Sequence, residues 1–322
     1  MALQYRFHNA ARRPASLGTF AKITQEIGRF NMTEPQRVVV VTGASSGIGL
    51  ETAKAFARMG WQVIGQGRDT ERSAVAEAAI RAECDGSGKV DFLRANLSLM
   101  SETKRLADEI KALTGPVDVL INNAGGIRDG KYMTVEGTEE TFAANHLAPF
   151  FLTRELMPLI EDAAANRPPE TVRVIAVSSV AYAWAEAGLN FGDIQHLEGP
   201  FVPGTVYREA KLANQLFNLA LAKRLAGKGI VSQAMVPGVV HSNFSSHGDE
   251  RIKNFINGAE GVTPAEAAES LVWIATSSET GAPGGRMFYE MEEKPVVPHG
   301  TDEAAAERLW TETEEILAKL GV

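Results

Sequence analysis

Short runs of consecutive apolar residues recur along this chain, and most are followed by stretches whose apolar positions keep a helical period. The first run is Val38-Val39-Val40-Val41, four valines with no polar alternation. Such a run fits a strand buried on both faces. Three glycines follow in G-x-x-x-G-x-G spacing (Gly43, Gly47 and Gly49), and an amphipathic run continues from Leu50 to Met59. Further apolar runs over 61–67, 90–95, 117–121, 172–177, 229–236 and 286–289 predict six more strands. Helical patterns cover 71–84, 101–113, 136–162, a stretch opening at Tyr207, another opening at Thr263, and 302–320. Gly115-Pro116 ends the second of these, and Pro149 and Pro158 are expected to bend or interrupt the third.

Strands that alternate with helices predict a parallel sheet with helices on both faces. The expected fold is therefore α/β and doubly wound (Rossmann-type), with seven parallel strands in a single domain over 37–300. Two segments lack clear periodicity and are expected to form substrate loops: 180–206, rich in aromatics and glycine, and 239–262, which reads as a mobile loop with short helical pieces. Residues 301–322 read as a charged, solvated covering helix. Residues 1–36 hold no sustained apolar stretch. They read either as a loosely held arm or as sequence upstream of a natural start at Met32.

Composition narrows the function. With 44% hydrophobic residues the chain can bury a large core, and a net charge of −8 offers no footprint for nucleic acid. Cys84 is the single cysteine, so no intrachain disulfide forms, and a reducing cytoplasm is the expected location. The Arg12-Arg13 pair lacks the apolar segment an export signal needs, and no apolar run reaches the length of a membrane span.

Strand, glycine turn and helix together open a dinucleotide-binding βαβ unit. Gly43 allows the sharp turn, Gly47 lets the backbone approach a pyrophosphate, and Gly49 lets the helix pack close to the strand. The helix N-terminus presents N–H groups and a positive dipole end to phosphate. Arg68 follows Gly67 at the end of the second strand, where this fold meets the adenosine ribose. An acid there would accept from a free 2′-hydroxyl. Arg68 instead suits a 2′-phosphate and can stack on adenine, which favours NADP(H) over NAD(H). Asn96, at the end of the third strand, is placed to meet the adenine edge through either amide group. Asn122-Asn123-Ala124-Gly125-Gly126 are small residues just past a strand's carboxyl end, where ligands bind in such folds.

Other candidates are weaker. His146 reads as a packed or capping residue. His196, His241, His247 and His299 lack ligand spacing, so no metal is expected, and no G-x-S-x-G elbow exists. Trp184, Phe191, Phe201 and Phe244 either wall a pocket or fill a core.

Three signatures, Thr42-Gly-x-x-x-Gly-Ile-Gly49, Asn122-Asn-Ala-Gly125 and Tyr207-x-x-x-Lys211, resemble in this order the short-chain dehydrogenase/reductase superfamily over roughly 37–290. Gly137 to Leu147 and Ala210 to Asn214 resemble its retinol dehydrogenase and WW-domain oxidoreductase-like branch, as do the long spacer after Ser179 and the arginine after the second strand. That branch acts largely on apolar alcohols and carbonyls with NADP(H). The resemblance implies that Ser179, rather than Ser178, hydrogen-bonds the substrate oxygen and that Tyr207 is the general acid/base. Lys211 would bind the nicotinamide ribose and favour the tyrosinate, and Asn145 would hold a water linking Lys211 to solvent. Pro237 and Gly238 would flank the nicotinamide beside Val240, with Ser242 near the carboxamide. Asn123, with Ala124 and Gly125, would line the cofactor cleft and steady the central strands. Ser45, Ser46 and Ile48 would complete the glycine turn, and Leu97 would accompany Asn96.

Two features depart from the family. Asn96 stands where an acid is usual, and the 27-residue spacer between Ser179 and Tyr207 is unusually long. The resemblance leaves a homodimer and a monomer both open. It also leaves open reduction of a carbon–carbon double bond, as in protochlorophyllide reductase, and a non-catalytic NADP-binding sensor.

The residue types suit carbonyl chemistry. Hydride transfer to a carbonyl carbon needs a proton donor at its oxygen. Free tyrosine titrates near ~10, and a neighbouring ammonium lowers that value. Residues four apart share a helix face, so Lys211 can stand beside Tyr207. A serine hydroxyl adds a neutral hydrogen bond to the developing alkoxide.

Overall fold

In a computed structural model describing residues 35–84, 86, 88–242, 244 and 248–322, the valine run forms β1 (Val38–Val41). The expectations for residues 1–34 lie outside these residues. The other strands are β2 (Gln62–Gly67), β3 (Val90–Arg94), β4 (Val119–Asn122), β5 (Val172–Val177), β6 (Ile230–Met235), β7 (Met287–Tyr289) and β8 (Glu292–Lys294). They line up as β3-β2-β1-β4-β5-β6-β7-β8, within one compact unit of residues 36–322. Every residue of β1, β2, β4, β5 and β6 is buried, so both faces of the sheet's centre are covered. Each valine so buried stabilises the fold by about 1.5–3 kcal/mol relative to exposure.

The chain winds outward from β1 to β3, then crosses to β4 on the other side of β1. That reversal opens a crevice at the carboxyl ends of β1 and β4. Pairing is parallel throughout except at β8, where Met287 opposes Lys294 in an antiparallel register. The expected seven strands are thus eight. Glu290 and Met291, both in the left-handed region (φ 51° and 57°), make the tight turn that folds β8 back.

The helices are α1 (Gly47–Arg58), α2 (Thr70–Arg81), α3 (Met100–Leu113), α4 (Glu140–Phe142), α5 (Ala148–Asn166), α6 (Pro203–Leu225), α7 (Glu250–Gly258), α8 (Pro264–Thr276) and α9 (Glu303–Lys319). Several differ from expectation. The helix expected from residue 136 starts at Glu140, because the Glu139 carboxylate caps it by accepting from the Thr141 and Phe142 N–H groups. A π-helical turn (Ala143–Leu147) then leads into α5. Pro158 sits inside α5 without ending it, and Pro149 occupies its first turn, where no N–H is required. Helix α6 begins at Pro203, a turn before Tyr207. Helix α7 is a short helical piece of the kind expected within 239–262.

Helix α9 is not a solvated cover. Ala306, Leu309, Thr313 and Leu317 are buried against the core. Trp310 stacks on Phe217 with centroids 5.9 Å apart and lies 3.9 Å beneath the Arg224 guanidinium. Among the described residues, no helix is long and apolar enough to cross a membrane.

Candidate active site

The glycine turn after β1 is held by polar groups from three strands. Thr42 Oγ1 accepts from the N–H groups of Asn123 and Ala124 at 3.0 Å, and Asn123 Nδ2 donates to the Thr42 carbonyl at 2.8 Å. Gly43 and Gly47 take φ of +68° and +57°, which side chains resist. The Gly43 N–H donates to Gln66 Oε1, whose amide nitrogen donates to the Ala95 carbonyl. Gln66 therefore ties the ends of β1, β2 and β3 together, a role its position in a buried strand did not announce. Gly49 lies outside the cleft lining. A Cβ there would fall 2.5 Å from Asn123 Nδ2 and closer still to the Gly43 carbonyl, so its close approach is to the turn rather than to a strand face.

The crevice is a cavity of about 660 Å³. Ser45, Ser46, Gly47 and Ile48 line it along the glycine turn, and Asn123, Ala124 and Gly125 line it beyond β4. Pro237, Gly238 and Val240 close the far wall. Ser242 does so facing Gly47, where a Cβ would lie 3.5 Å from its own. Apart from Gly49, all the expected site residues meet in this one cleft.

At one end stand Arg68 and Arg72, the latter not anticipated. The adjacent acid, Asp69, caps α2 by accepting from the Arg72 N–H at 2.9 Å, a bond that holds its carboxyl below the usual range. Asn96 and Leu97 line the same end. Asn96 Oδ1 is engaged by the Ser98 N–H and hydroxyl, so only its NH₂ faces a ligand, not either amide group. Arg128 and Glu140 also line this region and were not foreseen.

At the other end, β5 delivers two serines. Ser178 donates to the Lys211 carbonyl at 2.9 Å and is buried, which leaves Ser179 to hydrogen-bond the Tyr207 hydroxyl. Ser179 Oγ also accepts from the Ala181 N–H at 3.2 Å, which fixes it at the start of a 3₁₀ turn. Lys211 Nζ donates to the Val177 carbonyl at 3.2 Å and lies 5.7 Å from the Tyr207 ring centroid. Burial dominates both titrations. It pulls the Lys211 ammonium down to about 8 and pushes the Tyr207 phenol up, with the Ser179 hydrogen bond acting the other way. The expected lowering of Tyr207 by its lysine does not appear: burial raises the phenol and only the Ser179 hydrogen bond opposes it, so the phenol stays protonated.

The π-helical turn carries Asn145 to the same place. Its Nδ2 donates to the carbonyls of Gly126 and Thr141 at 2.9 and 2.7 Å, and its Oδ1 accepts from the Gly126 N–H. One lone pair of Oδ1 remains. A Cβ on Gly125 would lie 2.5 Å from that oxygen and 3.2 Å from Lys211 Nζ.

Of the four loop aromatics, Trp184 and Phe244 line the cleft, and Phe244 lies 5.5 Å from Tyr207 between centroids. Phe191 packs against the core beneath Arg308, and Phe201 is outside the lining. Ile252, Phe255 and Ile256 of α7 extend the apolar wall. Their spacing of three and four was a readable helical signal. His146 is packed in the core, and no cluster of metal-ligating side chains occurs among the described residues.

These residues fit a nicotinamide dinucleotide. Positive-φ glycines leave bare backbone at a helix N-terminus for phosphate, arginines stand at one end, and a buried ammonium and phenol stand at the other.

Residues 37–190 match the short chain dehydrogenase family model. Retinol dehydrogenase 14 of Homo sapiens is 31% identical over 301 residues, which cover 88% of this chain and 87% of that protein. Polyprenol dehydrogenase of Homo sapiens is 31% identical over 293 residues, covering 89% and 87%. Among solved structures, a Mycobacterium Paratuberculosis protein superposes with a TM-score of 0.67 at 30% identity, covering 87% of this chain and 93% of its own. The Pseudomonas aeruginosa RhlG/NADP active-site complex superposes with a TM-score of 0.62 at 25% identity, covering 79% and 94%.

Proposed function

The chain belongs to the short-chain dehydrogenase/reductase family, in its retinol dehydrogenase-like branch, and on that premise we propose that it is an NADP(H)-dependent oxidoreductase interconverting an apolar alcohol with its carbonyl. The observation that carries this reading is the meeting of Ser179, Tyr207 and Lys211 at the apolar end of one cleft. The nicotinamide, when bound, supplies or receives the hydride.

Ser179 and Tyr207 hold the substrate oxygen between two hydroxyls. Tyr207 passes its proton to that oxygen as the carbonyl is reduced and recovers it in the reverse direction. A phenol kept protonated by burial suits the acid of the reductive direction. Lys211 would hold the nicotinamide ribose and balance charge developing on Tyr207. Asn145 holds the Gly126 backbone beside Lys211, and its free lone pair suits a water that returns protons from solvent. Trp184, Phe244 and the α7 side chains exclude water and favour an apolar substrate body.

Arg68 supports NADP(H), and the acid that follows it in sequence, Asp69, is turned into the α2 cap rather than held for a 2′-hydroxyl. The test is a panel of apolar alcohols and carbonyls offered with NADP(H) and NAD(H), followed by nicotinamide absorbance. Turnover with NADP(H) faster than with NAD(H), abolished in Tyr207→Phe, is the expected result. Faster turnover with NAD(H) would refute the cofactor assignment, and activity persisting in Tyr207→Phe would refute the proton route.

A further inference from the structure

A single carboxylate oxygen, Glu140 Oε1, is shared by two guanidinium groups at the arginine end of the cleft. Arg128 Nη2 bonds it directly, and Arg68 Nη1 lies 3.8 Å away. The three side chains come from separate segments: Arg68 from the end of β2, Arg128 from the stretch after β4, and Glu140 from α4. All three line the cleft. Glu140 and Arg128 are the more buried, with side chains 18% and 23% exposed against 45% for Arg68. An anion approaching Arg68 therefore enters beside a carboxylate already held by a second arginine.

Resting on the NADP(H) reading above, we propose that Arg128 and Glu140 form a specificity latch for the nucleotide's 2′ position. Arg128 is a second ligand for the 2′-phosphate beside Arg68, and Glu140 is the anion that this phosphate must displace. A phosphate dianion gains two guanidinium partners but is repelled by Glu140. A free 2′-hydroxyl, by contrast, can donate to that carboxylate. Glu140 thus narrows the preference for NADP(H) without closing the site to NAD(H), and neutralising it widens the preference.

Calorimetric titration of the full chain with NADP⁺ and with NAD⁺ tests this without reference to turnover. Glu140→Gln is expected to bind NADP⁺ about three- to five-fold more tightly, the scale of one partly exposed charge pair, and NAD⁺ no more tightly than before. Arg128→Gln is expected to weaken NADP⁺ by a similar factor and NAD⁺ by less than about two-fold, with Arg128→Lys retaining part of the loss. Glu140→Gln that fails to tighten NADP⁺ overturns the latch. So does Arg128→Gln that weakens both nucleotides equally, or Arg128→Lys that loses as much as Arg128→Gln. Arg68→Gln separates the two levels. If it erases the NADP⁺ preference while the Arg128 and Glu140 variants do not shift it, only the latch falls. If the parent chain binds NAD⁺ at least as tightly as NADP⁺, the cofactor reading falls and the latch with it.

Discussion

Lys211 Nζ lies 5.7 Å from the centre of the Tyr207 ring, and burial shifts each group in the sense opposite to the one pairing would give, the ammonium down and the phenol up. The phenol is held protonated and the ammonium is made easier to discharge. Tyr207 is then the proton source, and removing its hydroxyl removes the step. Tyr207→Phe is expected to lower kcat by about 10²–10⁴-fold, the usual weight of a positioned acid/base. Nucleotide affinity should stay within about two-fold, because the ring that packs on Phe244 is retained. Steady-state rates set beside calorimetric Kd values check both halves.

Lys211 sets an alkaline limit. Its folded value is about 8, against 10.5 for the ordinary side chain. Raising the pH through 8 discharges it in the folded protein while an unfolded lysine still holds its proton. Nucleotide affinity should therefore decline as pH climbs through about 8, and Lys211→Arg, which stays charged, should flatten that decline. Stability moves the other way. Between about 8 and 10.5 the unfolded chain binds one more proton at this residue, so Lys211 adds stability as pH rises across that window. Nucleotide titrations from about pH 6.5 to 9.5 in both proteins decide the point.

Much of this was legible in the residues alone, for a physical reason. Strands β1, β2, β4, β5 and β6 are buried on both faces, so most of them had to be written as apolar runs. Tyr207 and Lys211 share a helix face at a spacing that sequence displays directly. Strand β8 was hidden because Glu292-Glu293-Lys294 is a polar edge, held by backbone pairing and a two-residue turn. In α9 a stripe of Ala306, Leu309, Thr313 and Leu317 lies within a charged stretch, and the charge masked the packing. The Arg128–Glu140 contact joins residues twelve apart through a loop whose path no periodicity encodes. The raised Tyr207 value depends on depth of burial, which motif spacing does not carry.

Gly125 separates Asn145 from Lys211 by the width of a bare backbone. A methyl group there would stand 2.5 Å from Asn145 Oδ1 and 3.2 Å from Lys211 Nζ. One of the two must withdraw. Gly125→Ala is expected to lower kcat by at least about ten-fold, because a small misplacement of a positioning group is costly. Its unfolding free energy should fall by no more than ordinary single substitutions cost, about 0.5–3 kcal/mol. Full activity in Gly125→Ala would show that the Asn145–Lys211 spacing is unimportant.

His146 gives the fold an acid sensitivity that is separate from the cleft. It is fully buried, and burial alone pulls it down to about 3 from the ordinary 6.5. Thr313 Oγ1 already donates to the Leu309 carbonyl at 2.7 Å, so at 2.8 Å it accepts from His146, which places the imidazole proton on Nε2. That bond fastens α9 to the π-helical turn before α5. Between pH 6.5 and about 3 the unfolded chain binds a proton here that the folded chain refuses, so stability falls as pH drops through this window. The limiting slope for one such group is about 1.4 kcal/mol per pH unit. Urea unfolding at pH 7 and pH 5 should therefore show a smaller acid loss in His146→Phe than in the parent chain. Thr313→Val should cost about 1–3 kcal/mol at pH 7, because it leaves the buried Nε2–H without an acceptor. Equal acid losses in the parent and His146→Phe would mean that the imidazole is already charged, or is not buried, in the folded protein.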